Sequence, residues 1–278
     1  MSRAIKLSPW PLLRHAVLLA GALVVLAPFI WMLSTASKPA DEIYSSELHL
    51  IPHHFALWDN LQEAFAKADL WRYLLNGLIV TVSIFALQIL IALPAAYALA
   101  KLRFLGRGTL FALVLFGILI PPQATAIPVF LLLHKLGALD SYAALVLPFT
   151  ISVFGIFLMR QFFKTVPDDL IDAARMDGIS EFGIVWRVML PAAIPAVTAF
   201  GIFSVVAHWN DYFWPLIVLN SQHYYTPPLA VAHFRNAEAG TNYGPLMAAA
   251  LVIIAPLVIA FLLAQRRFIE GITLTGLK

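Results

Sequence analysis

The chain has 278 residues, of which 61% are hydrophobic and only 12% charged, and it carries a net charge of +3. Soluble domains run near half apolar and about a quarter charged, so the excess apolar surface has to be taken up by a bilayer. There is no cysteine, which excludes disulfides, a thiolate metal site and a cysteine nucleophile, and the small net charge gives no reason to expect a nucleic-acid partner.

Six apolar runs reach the roughly 20 residues that a crossing needs: 16–34, 73–100, 110–132, 142–160, 192–216 and 243–263. The expected fold class is therefore an all-α integral membrane protein, a single domain of six transmembrane helices. Basic residues precede the first run as they precede a secretory signal, but its apolar stretch is longer than a signal core. It reads as an uncleaved first helix. The segment 35–72 that follows holds Pro39, Pro52 and three histidines, His49, His53 and His54. No carboxylate cluster accompanies those histidines, so no metal site is expected. Within the segment, "DNLQEAFAKADLWRYLLN" reads as helix, with Leu61, Phe65 and Ala68 on one face.

The third run carries Pro121-Pro122, which should break the helix beside Gln123 and free backbone groups that need a cavity or protein cover. Gly137 and Asp140-Ser141 mark a short turn before the fourth run, which has Pro148 in its middle. After the fifth run, the loop 220–242 carries "YYTPPLAV", suited to an interfacial belt or to a docking face for a soluble partner.

Lys and Arg give the orientation. With the N-terminus inside, the inner segments hold Arg3, Lys6, Arg14, Lys101, Arg103, Arg107, Arg160, Lys164, Arg175, Arg187, Arg266, Arg267 and Lys278. The outer ones hold Lys38, Lys67, Arg72, Lys135 and Arg235. Only this direction satisfies the positive-inside rule, so both termini are expected in the cytoplasm.

The passage 165–191, between the fourth and fifth runs, is then cytoplasmic, and it is too polar to be a span. Thr165 is placed to cap a helix starting at Pro167, and Asp168 and Asp169 complement its positive end. Asp177-Gly178 ends that helix, and Ser180 can cap a second one that Pro191 closes. Small Ala173 and Ala174 would let another protein approach the backbone, while Asp172, Arg175 and Asp177 would set register. The alternative is an amphipathic linker lying on lipid with Trp186 at the interface.

Polar residues within spans face protein or water. Trp209, Asn210 and Asp211, with His208 beside them, offer hydrogen bonds for hydroxyls and an aromatic face for a sugar's C–H surface. Together with Gln123 they are candidates for a substrate pathway; the alternatives are an interfacial position or interhelical packing. Asn76 and Gln88 read as bonds between helices.

"DAARMDG" followed by "VMLP" resembles the cytoplasmic signature of ATP-binding cassette importer permeases, at Asp172, Ala173, Ala174, Gly178, Leu190 and Pro191. Asp172 stands where that family has Glu, which keeps the charge and shortens its reach by one methylene. "HWNDYFWPLIVL" and the tail "QRRFIEGITLTGLK" look like the carbohydrate branch, of the maltose and glycerol-3-phosphate type. The resemblance implies that 165–191 is a coupling helix, with Asp172, Ala173, Ala174, Arg175, Asp177 and Gly178 against an ATPase. It also implies a dimer of ATPase subunits that binds ATP and Mg, a second permease, an extracytoplasmic solute-binding protein and a bacterial inner-membrane location. This chain has no Walker-type phosphate loop of its own. A self-sufficient secondary transporter is the main rival and should show repeats and intramembrane charges for ion coupling. No repeat is visible, and Asp211 is the lone carboxylate candidate. An intramembrane enzyme would need a catalytic set that the sequence lacks.

Overall fold

A computed structural model describes residues 9–45, 47, 49–232 and 242–275. Of the charges counted above, Arg3, Lys6, Arg235 and Lys278 lie outside the described residues. The chain divides into two compact units, residues 1–68 with 233–252, and 69–232 with 253–278.

In the first unit, α1 (Pro9–Ala36) leaves Val17, Leu18, Leu19 and Val24 exposed. A helix that is apolar all round belongs in lipid or in a larger assembly. α2 (Ala40–Ile43) and α3 (Leu57–Lys67) follow. Asn60, buried on α3, donates Nδ2 to the carbonyls of Ala36 (2.9 Å) and Lys38 (2.8 Å) and so ties α3 to the chain leaving α1. The helix expected across Asp59–Asn76 is split at Ala68-Asp69. The side chain of Asp69 accepts from the Arg72 N–H at 3.2 Å and starts a new helix there.

That helix is α4 (Leu70–Lys101), the centre of the second unit, continuous through Pro94. It is followed by α5 (Arg107–Ile118), a 3₁₀ turn Pro122–Thr125 and α6 (Ala126–Lys135). The two prolines break the third run as expected, and the axis turns by 98° there. Next come α7 (Tyr142–Val146), a 3₁₀ turn Leu147–Phe149 and α8 (Val153–Phe163), bent by 42°. The fourth run is therefore two helices meeting just after Pro148 rather than one.

The charged passage folds as α9 (Asp168–Met176), α10 (Glu181–Ile184), a π-helical stretch Val185–Met189 and α11 (Leu190–Ala192). An 82° bend leads into α12 (Ile194–Trp209). Pro191 lies in the first turn of α11 and does not close a helix. The fifth run is also interrupted, at 210–212, before α13 (Phe213–Val218). α14 (Pro227–Ala232) and α15 (Tyr243–Thr275) complete the chain. Among the described residues, α1, α4 and α15 are each long and apolar enough to cross a membrane alone, and the three bent pairs bring the total to six if each is one span.

α4 packs against α8, α12 and α14. One core lies around Leu93, Ala96, Tyr97, Met159, Phe163 and Phe200, and the buried faces of α9 and α10, Ile171, Ala174 and Ile184, are part of it. A second gathers Val80, Ile84, Leu145, Trp214, Val218 and Leu229. Helices come close through glycine: a Cβ on Gly155 would sit 2.8 Å from the Phe200 ring, and one on Gly77 only 2.6 Å from the Pro227 ring.

Candidate functional site

Two places in the second unit bring polar chemistry together, and the first is the hairpin from Lys164 to Ala192. α9 begins one residue later than the sequence suggests, with Pro167 as its cap residue and no side-chain cap. The Thr165 hydroxyl instead donates to the Phe162 carbonyl at 2.7 Å, closing the end of α8. The stop of α9 is the expected one. Gly178 has φ 75°, its N–H reaches the Arg175 carbonyl and the Ile179 N–H reaches the Ala174 carbonyl, both at 3.0 Å. That double bond pattern is a Schellman close, which needs a residue that tolerates the left-handed region. Ser180 then caps α10 by accepting from the Gly183 N–H at 3.2 Å.

Charges inside the hairpin lock its two arms. The Arg175 Nε donates to Glu181 at 2.7 Å and its Nη1 donates to Asp172 at 2.9 Å. Tyr97, reaching over from α4, donates its hydroxyl to the other Glu181 oxygen at 2.5 Å. The bonds from Arg175 and Tyr97 hold the Glu181 carboxyl below the usual carboxylate range, and Glu181 in turn keeps Arg175 more firmly protonated. Lys101 donates to the Val166 carbonyl at 2.6 Å and to Asp168 at 2.5 Å, and this lowers the Asp168 pKa. Between α4 and α9, Lys101, Asp168, Asp172 and Arg175 line a polar groove of about 300 Å³.

Of the six hairpin residues singled out in the sequence, Asp172, Ala173, Arg175, Asp177 and Gly178 are exposed, whereas Ala174 is buried in the protein's own core. Two neighbouring alanines fall on different faces because about 100° of helix separates them. Met176, 88% exposed, stands beside Ala173 on the open surface together with Leu170. Sequence reading missed it because methionine in a short helix looks like core.

The second place is a cavity of about 530 Å³ where the broken helices meet, lined among others by Gln88, Gln123, Phe149, His208, Asp211 and Trp214. The Pro121-Pro122 break presents Gln123 there, and the break after Trp209 presents Asp211, whose carboxylate accepts from the Trp214 N–H at 3.2 Å. Gln88 is a buried part of the wall. It donates to the Phe149 carbonyl at 2.8 Å and accepts from the Ser204 hydroxyl at 2.7 Å, and its amide nitrogen lies 3.3 Å from His208 Nε2. No Lys or Arg is among the residues that line the cavity.

Trp209 and Asn210 lie outside that lining. Trp209 is buried, and its indole donates to the Ile253 carbonyl at 3.1 Å; Asn210 folds back onto the Val206 carbonyl at 2.8 Å and closes α12. Asn76, read as an interhelical bond, donates to the carbonyls of His223 (2.8 Å) and Tyr225 (3.0 Å) and accepts from the Tyr142 hydroxyl at 2.6 Å.

Residues 88–273 match the family described as "Binding-protein-dependent transport system inner membrane component". The chain is 34% identical over 260 residues to the arabinooligosaccharides transport system permease protein AraQ of Halalkalibacterium halodurans, covering 92% of each. It is 30% identical over 272 residues to the sn-glycerol-3-phosphate transport system permease protein UgpE of Escherichia coli, covering 95% of this chain and 96% of the other. A crystal structure of a bacterial ABC transporter involved in the import of the acidic polysaccharide alginate superimposes with a TM-score of 0.82 at 25% identity, covering 96% of this chain and 99% of that one. Members of this family are non-catalytic and work with a separate ATPase and a second permease. The chain belongs to the binding-protein-dependent transport inner-membrane component family and is the multi-pass, membrane-spanning permease subunit of an ATP-driven importer.

Proposed function

We propose that this subunit imports a neutral carbohydrate and receives its drive through the 165–191 hairpin, which docks on an ATPase dimer that binds ATP and Mg. The observation that carries the coupling role is the form of the hairpin. Its inner face is built into the core at Ile171, Ala174 and Ile184, while Ala173, Met176, Asp177 and Gly178 stand exposed together at its tip. A preformed knob lowers the ordering cost of docking. Both termini and the hairpin are cytoplasmic on this reading, supported by 13 of the 18 Lys and Arg falling on that side. The whole chain acts as one permease domain.

The substrate pathway runs past Gln123 and Asp211 in the cavity, with Trp209 and Asn210 holding the end of α12 that presents Asp211. Phe149 and Trp214 supply aromatic faces, and Gln123 and Asp211 supply partners for hydroxyls. A carboxylate with no lining cation disfavours phosphate or uronate groups, which would enter as uncompensated charge. A solute-binding protein delivers the substrate from outside.

The experiment is ATP hydrolysis and uptake by the complex in proteoliposomes, with Ala173 replaced by Trp. The bulky ring projects from the exposed face and leaves the core untouched. Loss of ATPase association together with loss of uptake supports the reading; an unchanged ATPase and unchanged uptake would contradict it.

A further inference from the structure

α4 touches the hairpin at two points one turn apart. Tyr97 grips Glu181, the first residue of α10, and Lys101 grips Val166 and Asp168, where α9 begins. Residues four apart share a helix face, so a single turn of α4 holds the start of each arm, and Arg175 ties the arms together through Glu181 and Asp172. The donors of these contacts are buried and the acceptors are not: Tyr97 is 2% exposed and the Lys101 side chain 8%, whereas the side chains of Glu181 and Asp168 are 47% and 77% exposed. Bonds to charged groups are stronger than neutral ones.

The covalent connections of the hairpin are not straight helix. Its first arm leaves α8 through the turn at Lys164–Pro167, and its second reaches α12 through a π-helical stretch and the 82° bend at Ala193. α4, by contrast, runs on unbroken to Gln88, about 13 Å along the axis from Tyr97 at 1.5 Å per residue. There it is bonded to Phe149, Ser204 and His208, at or behind the wall of the cavity.

We infer that Tyr97 and Lys101 are positioning residues that make α4 the member carrying a hairpin displacement to the cavity; this rests on the hairpin being the docking element for the ATPase. When the ATPases close, the hairpin and the end of α4 move as one body, and Gln88 moves the cavity wall with them. Without the clamp, the hairpin still docks but its motion is absorbed in the bend at Ala193.

Because the chain has no cysteine of its own, Gln123→Cys puts one reporter in the cavity. The complex is purified through a tag on this chain, and maleimide labelling of this subunit is read by mass spectrometry with and without ATP and vanadate. In the parent background, trapping changes the labelling rate. In Tyr97→Phe with Lys101→Met, which keep the ring and most of the stem, the complex assembles and hydrolyses ATP but the nucleotide-dependent change is lost. Tyr97→Phe alone, one oxygen fewer, gives partial loss. A full response in both variants overturns the inference, and so does failure of Tyr97→Phe to retain the ATPase, which would make the clamp a folding contact only. If Ala173→Trp sheds the ATPase while the double variant responds like its parent, only the clamp is wrong. If Ala173→Trp leaves the ATPase bound and active, the docking reading itself fails.

Discussion

Replacing Gln88 by Leu separates the two amides of the cavity, one structural and one open. Gln88 is 4% exposed and makes two bonds within 2.8 Å, to Phe149 O and from the Ser204 hydroxyl. Leucine is close in volume, so packing is largely kept and the loss is in hydrogen bonds. Interhelical bonds in membrane proteins average about 0.6 kcal/mol and reach about 1.7. Ser204 can fall back on a carbonyl of its own helix, but the Phe149 carbonyl, at a helix break, has no such substitute. The expected cost is therefore about 1–2 kcal/mol, a fall of about 2–8 °C in Tm at about 2–4 °C per kcal/mol for a chain of this size. Thermal unfolding of the detergent-solubilised complex measures it, with Gln123→Leu as the control. Gln123 is exposed to the cavity and makes no such pair, so its substitution should leave Tm unchanged and affect uptake only. A Gln88→Leu protein as stable as its parent, or a Gln123→Leu protein equally weakened, would refute the division of roles.

Gly77→Ala forces a methyl to 2.6 Å from the rigid Pro227 ring; overpacking of this kind costs about 1–3 kcal/mol. Gly108→Ala, with open space around it, should cost nothing in the same melt. Gly178→Val places a β-branched residue at φ 75°, at a cost of about 1–2 kcal/mol. Faster hydrogen exchange in peptides covering 168–184 would report it. The same peptides should respond to acid. Glu181 and Asp168 have folded pKa values below their unfolded ones. Their contribution is thus complete above the ordinary carboxylate pKa and is lost as pH falls through the folded values. Protection of the hairpin, corrected for intrinsic exchange, should hold at neutral pH and decline only below about pH 4; a decline beginning near pH 6 would implicate another group.

Local chemistry made part of this structure legible in the sequence. Pro121-Pro122, Gly137 and Gly178 act through their own backbone and Ser180 through its own hydroxyl, and each breaks or caps a helix where the sequence places it. Pairing over long separations was not legible. Nothing near Trp209 announces that its indole belongs to Ile253, or that Gln88 will find partners 61 and 116 residues away. The direction of Ala174 was hidden for a related reason. In a hairpin of two short helices the inner face is set by what it packs on, here Tyr97 of α4 and Met159 and Phe163 of α8. The apolar runs also conceal their breaks, because α12 is hydrophobic on every side and no periodicity marks where it stops.

On the proposed function, the exposed tip of the hairpin meets the ATPase. The direct measurement is disulfide or short-reach thiol cross-linking in membranes, with Met176→Cys as the only cysteine in this subunit and Thr125→Cys, in the cavity lining, as the control. A cross-link to the ATPase from position 176, sensitive to ATP and vanadate, with none from position 125, is what the account predicts. No cross-link from position 176 in a complex that still hydrolyses ATP and transports would contradict it.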